Sequence, residues 1–188
     1  MKNAALLVMD YQNDILAMVG NNSASLLKNA SSLIEAARQN KVPVIYVQVA
    51  FRPGYPEVSP RNKTFAGLTK AGLFVLGSPG AEIHAAVAPR NGEVVVVKHR
   101  VGALSETDMQ TALRAKGVEH LILAGISTSG VILSTLRLAA DFDYGITVVS
   151  DACADTDEEV HRVLMEKVFP RQADVVTTSA ALALLSAK

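Results

Sequence analysis

Asp10 and Gln12 directly follow the apolar run 5–9, and Lys98, His99 and Arg100 follow the run 94–97. Residues 125–131, Gly-Ile-Ser-Thr-Ser-Gly-Val, follow a third run and open an amphipathic segment. Asp151 and Cys153 follow a fourth, at 148–149. A lysine beside a partly buried carboxylate keeps it ionised or shares a proton with it. Backbone N–H groups at a helix start hold a developing oxyanion or a substrate carboxylate. Brought together, a carboxyl, an amine and a helix start make an acid–base site. The same Asp–Lys pair also has a structural reading, as an ion pair at strand ends, and the residues alone leave both open.

Such a site needs elements that deliver its parts to one place. Val- and Ile-rich runs at 5–9, 42–49, 93–97, 120–124, 146–150 and 174–177 alternate with helix-length segments at 23–39, 107–116, 129–142, 157–169 and 179–187. Apolar runs without period-two alternation suit strands covered on both faces, as in a parallel sheet. Gly117 and Gly145 each stop a helix shortly before the next strand. This order predicts an α/β fold with right-handed crossovers and helices on both faces. In open parallel sheets ligands bind beyond the carboxyl ends of the strands, where the residues above fall.

The stretch 51–92 breaks the pattern, holding most of the prolines and half the glycines. It predicts a long excursion with one helix near 81–87. Excursions of this length in compact domains are commonly lids or interface segments. Phe51, Pro53, Tyr55 and Phe65 are available to roof a pocket or to pack at a subunit contact.

Composition narrows the function classes. A length of 188 residues predicts a single domain, 1–188, and 49% apolar residues supply its core. Basic and acidic residues balance at 18 each with no basic stripe, which argues against a nucleic-acid partner. No apolar run approaches the roughly 20 residues of a membrane span. Residues 1–9 read as a buried first strand rather than a signal segment, because Asp10 ends the apolar stretch. Cys153 is the only cysteine, so neither an internal disulfide nor a thiolate metal cluster can form, and a cytoplasmic location is the expectation.

Several of these segments together resemble a known family. The opening Leu6-Leu7-Val8-Met9-Asp10-Tyr11-Gln12-Asn13-Asp14 looks like that of the isochorismatase-like, or cysteine hydrolase, superfamily. Residues 94–100 resemble its lysine strand, and Gly125-Ile126-Ser127-Thr128 its approach to the nucleophile. Thr135, Ala139-Ala140-Asp141 and Val148-Val149-Ser150-Asp151-Ala152 match in order and spacing, so the similarity spans nearly the whole chain.

The resemblance implies a three-layer, Rossmann-like α/β/α sandwich with about six mostly parallel strands. It implies a homo-oligomer, a dimer or tetramer, and a small-molecule substrate. It assigns catalysis to Asp10 and Lys98, and substrate contacts to Gln12, Arg52, Arg100, Ser127, Thr128 and Val131. It also implies a non-proline cis peptide at 126–127 that aims the N–H groups of Ser127 and Val131 into the pocket.

One expected residue is absent. The family's cysteine position, three residues after Thr128, is Val131 here, and Ser129 stands where many members have an aspartate. Valine cannot attack a carbonyl, which disfavours a thioester mechanism. Cys153 follows a different strand and reads as a small buried hydrophobe. Ser127, Ser129 and Ser134 have no histidine nearby in sequence.

The isochorismatase branch manages without the thiol. There an acidic carboxyl protonates a vinyl ether and water adds to the cation. Asp10 would be that acid, Lys98 would orient it, and Gln12 would position water or Asp10. Arg52, Arg61 and Arg100 would pair with carboxylates of an anionic metabolite, or stand solvated in loops. That branch often carries Ala-His near Thr128-Ser129, which this chain lacks. Metal-dependent nicotinamidases carry Asp-x-His after the second strand, whereas residues 47–52 read Val-Gln-Val-Ala-Phe-Arg, so no metal or other cofactor is predicted. The expected function is hydrolysis by Asp/Lys acid–base chemistry. The alternatives are a silent binding module and an amide hydrolase with another nucleophile.

Overall fold

The computed structural model describes residues 3–20 and 23–187. The first two residues of the stretch read as a first strand, Met1 and Lys2, lie outside that set. Among the described residues, six strands form one sheet in the order β3-β2-β1-β4-β5-β6, with every pair parallel. The strands are β1 (Ala4–Met9), β2 (Val44–Val49), β3 (Val94–Lys98), β4 (His120–Ile126), β5 (Gly145–Ala154) and β6 (Asp174–Val176). The order reverses direction at β1 and β4, which places a crevice at their carboxyl ends.

Strand β1 shows why continuous apolar runs were needed. All six of its residues are buried. Leu6 and Val8 pack with α2 (Ser23–Gln39) and α7 (Thr178–Ser186), together with the short α1 (Asn13–Met18). Leu7 and Met9 pack on the opposite side, with Met109 and Leu113 of α4 (Met109–Ala115) and Leu136 and Ala139 of α5 (Leu133–Asp141). Alternate residues therefore serve two cores, which gives the three layers. Gly125 of β4 lies so close to β1 that an added Cβ would stand 2.5 Å from the Met9 carbonyl oxygen. Glycine there lets the two central strands meet at the crevice.

Several boundaries differ from the sequence expectation. The helix expected at 81–87 is a single 3₁₀ turn, Ala85–Val87. The excursion's α-helix is instead α3 (Lys63–Lys70), capped by Asn62 accepting from the Phe65 N–H at 3.2 Å. Its Gly67 and two threonines are weak helix formers. The helix is held by tertiary contact, with Phe65 packing edge-on to Phe51 in a small third core that includes Val49 and Phe74. The segment at 129–142 begins as a π turn, Thr128–Ile132, before α5. The segment at 157–169 is α6 (Glu158–Val163) followed by a π turn, Leu164–Val168.

Strand β5 runs to Ala154, beyond the expected 150, because its register with β4 jumps from Leu123↔Val148 to Gly125↔Cys153. One residue of β4, Ala124, therefore lies opposite four of β5, residues 149–152. The surplus forms a bulge at the carboxyl end of β5, and bulges re-aim side chains next to binding sites.

Candidate active site

Asp10 leaves the end of β1 with φ +60°, a left-handed conformation that aspartate tolerates better than most residues. Its N–H donates to the Val47 carbonyl at 2.9 Å, which ties the exit of β1 to the neighbouring parallel strand β2. Lys98 ends β3, two strands away, and its Nζ lies 2.8 Å from Asp10 Oδ2. Their side chains are only 2% and 4% exposed. Lys98 Nζ also donates to the carbonyl oxygens of Arg100 at 3.1 Å and Val101 at 3.0 Å. All three ammonium protons therefore have acceptors, and the group cannot swing toward another partner.

The carboxyl is less complete. Asp10 Oδ1 is buried and has no hydrogen-bond partner among the described residues. Burial raises the Asp10 pKa, against the opposing pull of Lys98, so the proton is held more firmly than by an ordinary aspartate. A buried carboxyl oxygen without a partner is costly unless something else contacts it.

Asp10 and Lys98 lie in the wall of a cavity of about 240 Å³. Its apolar lining includes Ile15 of α1 and Val19 at its C-terminal end, Phe65 and Leu68 of α3, Phe74, Val101 and Val131. Phe65 thus roofs the cavity, as the excursion's aromatic residues allowed. Polar lining comes from Ser127, Ser129, Asp155 and Thr156. The peptide bond between Ile126 and Ser127 is cis. Ser127 caps the π turn, its Oγ accepting from the Gly130 N–H at 3.1 Å. The Ser129 N–H donates to Asp155 Oδ2 at 2.7 Å.

The remaining expected residues lie elsewhere. Gln12, expected to position water or Asp10, has a fully committed amide. Its Nε2 donates to the Val49 and Ala81 carbonyls at 2.8 and 2.6 Å, and its Oε1 accepts from the Val49 N–H at 2.8 Å. It ties the excursion to β2 and does not line the cavity. Arg52 projects into solvent with its side chain 71% exposed, near Glu57 at 3.3 Å. Arg100 donates to the carbonyls of Glu57 and His99. Neither arginine lines the cavity, nor does Arg61, so the carboxylate partners expected for an anionic substrate are not there. Buried Thr128 is turned away and paired with His161, Oγ1 to Nδ1 at 2.7 Å.

Asp155 was not anticipated. It sits one residue beyond β5, past the bulge, whereas the apolar run that marks the strand in the sequence ends at 150. A signal was present in the apolar run Ala152-Cys153-Ala154 just before it, which extends the strand.

Cys153 is 5% exposed and lines a different cavity, with Asp151, Asp155, Glu158 and His161. Burial pushes its thiol up to about 12, so at neutral pH it is not a thiolate. Among the described residues no group of His, Cys, Asp and Glu is placed to hold a metal ion, and no helix is long and apolar enough to cross a membrane.

The fold and the Asp–Lys pair at the β1–β4 crevice define a class of α/β hydrolases, and the comparisons agree. The isochorismatase domain model matches residues 4–180, and the chain belongs to the isochorismatase family. An isochorismatase family protein of Bacillus subtilis, YddQ, is 32% identical over 95% of this chain and 98% of its own length. The maleamate amidohydrolase of Pseudomonas putida is 26% identical, covering 96% of this chain and 86% of its own. Among solved structures, an isochorismatase family protein of Desulfovibrio vulgaris superposes with a TM-score of 0.87 at 27% identity, covering all of both chains.

Proposed function

We propose that this chain hydrolyses a small organic substrate with Asp10 as the proton carrier, Lys98 as its fixed partner, and no covalent bond to the protein. The observation that carries this reading is the free Oδ1 of Asp10, buried in the cavity wall while Oδ2 is held by Lys98. The protonated carboxyl donates its hydrogen to the substrate atom facing Oδ1. A bond to the leaving group opens, water adds to the cationic carbon, and the water's surplus proton returns to Asp10. Atoms and charge balance without an enzyme nucleophile.

Two features of the wall support the absence of a covalent step. Val131 presents only methyl groups, and Ser127 Oγ serves as a helix cap. A thioester route through Cys153 would need a thiol in the neighbouring cavity, far above its reactive pH range.

A panel of vinyl ethers, esters and primary amides tests the proposal with the unmodified chain, Asp10→Asn and Cys153→Ala. The expected result is turnover of at least one member that disappears in Asp10→Asn and persists in Cys153→Ala. Turnover that survives Asp10→Asn overturns the mechanism. An acyl adduct on any residue, seen by mass spectrometry during turnover, overturns the non-covalent claim.

A further inference from the structure

The start of the π turn and α5 already has an anion bound to it, and that anion belongs to the protein. The Asp155 carboxylate takes the Ser129 N–H at 2.7 Å and forms part of the cavity wall. It occupies the place where a helix start would receive a substrate carboxylate. Lys98, the one basic residue in the lining among the described residues, has its three protons on Asp10 and two carbonyls, so it offers nothing to a second anion. The cavity therefore contains two carboxyl groups against one committed ammonium. The independent sign that a ligand belongs here is Asp10 Oδ1, which is buried in a residue only 3% exposed and has no partner among the described residues.

We propose that Asp155 is a specificity-determining residue that turns this cavity against carboxylate-bearing substrates and selects one carrying an amino or ammonium group. The ligand's apolar body lies among Phe65, Phe74 and Val131, its reactive end faces Asp10, and its nitrogen donates to the Asp155 carboxylate, whose Oδ2 also takes the Ser129 N–H and whose Oδ1 takes the Asp157 N–H at 3.5 Å. An anion placed there meets a like charge on the half-buried Asp155, whereas an ammonium gains an ion pair. The inference rests on the cavity being the substrate site, as the proposed function holds, but it concerns binding and stands apart from the chemistry.

Three probes of one shape and different charge test it: benzylamine, benzyl alcohol and benzoate. Each is titrated into the unmodified chain and into Asp155→Asn while backbone amide resonances of residues around Val131 are followed by NMR. The expected order is benzylamine, then benzyl alcohol, then benzoate, with benzoate weaker than benzylamine by on the order of tenfold or more. Asp155→Asn keeps an acceptor for the Ser129 N–H while removing the charge. It should cost benzylamine about tenfold and improve benzoate, narrowing or reversing the order. If Asp155→Asn does not fold, Asp155→Ser, with a shorter acceptor, takes its place.

Benzoate binding as tightly as benzylamine overturns the proposal, as does an unchanged order in the variant or shifts from none of the three probes. Because no turnover is required, a chain that binds in this order yet hydrolyses nothing would sink the mechanism and leave the selectivity standing. Turnover of a carboxylate substrate would do the reverse.

Discussion

Two cavities lie side by side at the carboxyl edge of the sheet, with Asp155 in the wall of both. The one under α3 contains a carboxyl and an amine stripped of water, with one carboxyl oxygen unsatisfied. The one beside α6 contains the chain's only thiol and a histidine, groups that look more reactive on paper. Yet there Cys153 is protonated by burial, and the His161 ring nitrogen is occupied by Thr128. Reactive potential follows the unmet hydrogen-bonding capacity of a buried group rather than its intrinsic chemistry.

The contrast can be broken most directly at Asp10. Asp10→Asn keeps the shape and removes the transferable proton, so turnover should fall by about 10²–10⁴-fold, read from kcat/KM. The pH profile sharpens the point. Burial raises the Asp10 pKa above its usual 3.8. Turnover that starts from the protonated carboxyl should decline as pH rises through the raised value. The stability that Asp10 contributes follows the same course, complete below 3.8 and lost as pH climbs through the folded-state pKa. Asp10→Asn should flatten that limb in thermal melts at stepped pH.

Lys98→Met comes next. It leaves a buried carboxyl without its counter-charge and should cost about 3–5 kcal/mol in denaturant unfolding. Adding Asp10→Asn to it should recover much of that loss, since removing both members of a buried pair is far cheaper than removing one. Recovery of folding without recovery of turnover would separate the pair's structural work from its chemical work.

Gln12→Leu removes three hydrogen bonds from the base of the excursion, worth together about 3 kcal/mol. Its activity loss should scale with the loosening of the roof and appear mainly in KM. The smallest effect is expected on the other side of Asp155. Cys153→Ala should leave turnover unchanged and cost about 1 kcal/mol. Iodoacetamide at neutral pH should label the native chain far more slowly than the unfolded one, since the folded thiol ionises only near 12. Rapid labelling that stops turnover would erase the distinction between the two cavities.

The sheet was legible in the sequence because buried parallel strands must be apolar on both faces, as in β1 and β4. The Asp10–Lys98 pair was legible because both residues sit where apolar runs end, and in this fold those ends converge. Less visible was whatever depends on contacts between distant segments. Helix α3 has a mediocre helical sequence and is fixed by Phe65 against Phe51. Gln12, Arg52 and Arg100 are polar residues near the site in sequence, and nothing in the sequence says which backbone groups will claim them. Asp155 depends on a bulge, and a surplus in register has no composition of its own.

That bulge has a consequence for how the family's chemistry can diverge. Beyond it, Cys153 packs with the α4–α5 core while Ala152 and Ala154 pack with the α2–α7 core. Since successive residues point to opposite sides, parity decides which side chain faces which layer. Losing a single residue between 149 and 152 would exchange the two sides, send Asp155 away from the π turn and leave the Ser129 amide open to an incoming anion. A one-codon deletion that leaves every wall residue unchanged is thus a second route between the two charge preferences, beside substitution of Asp155 itself.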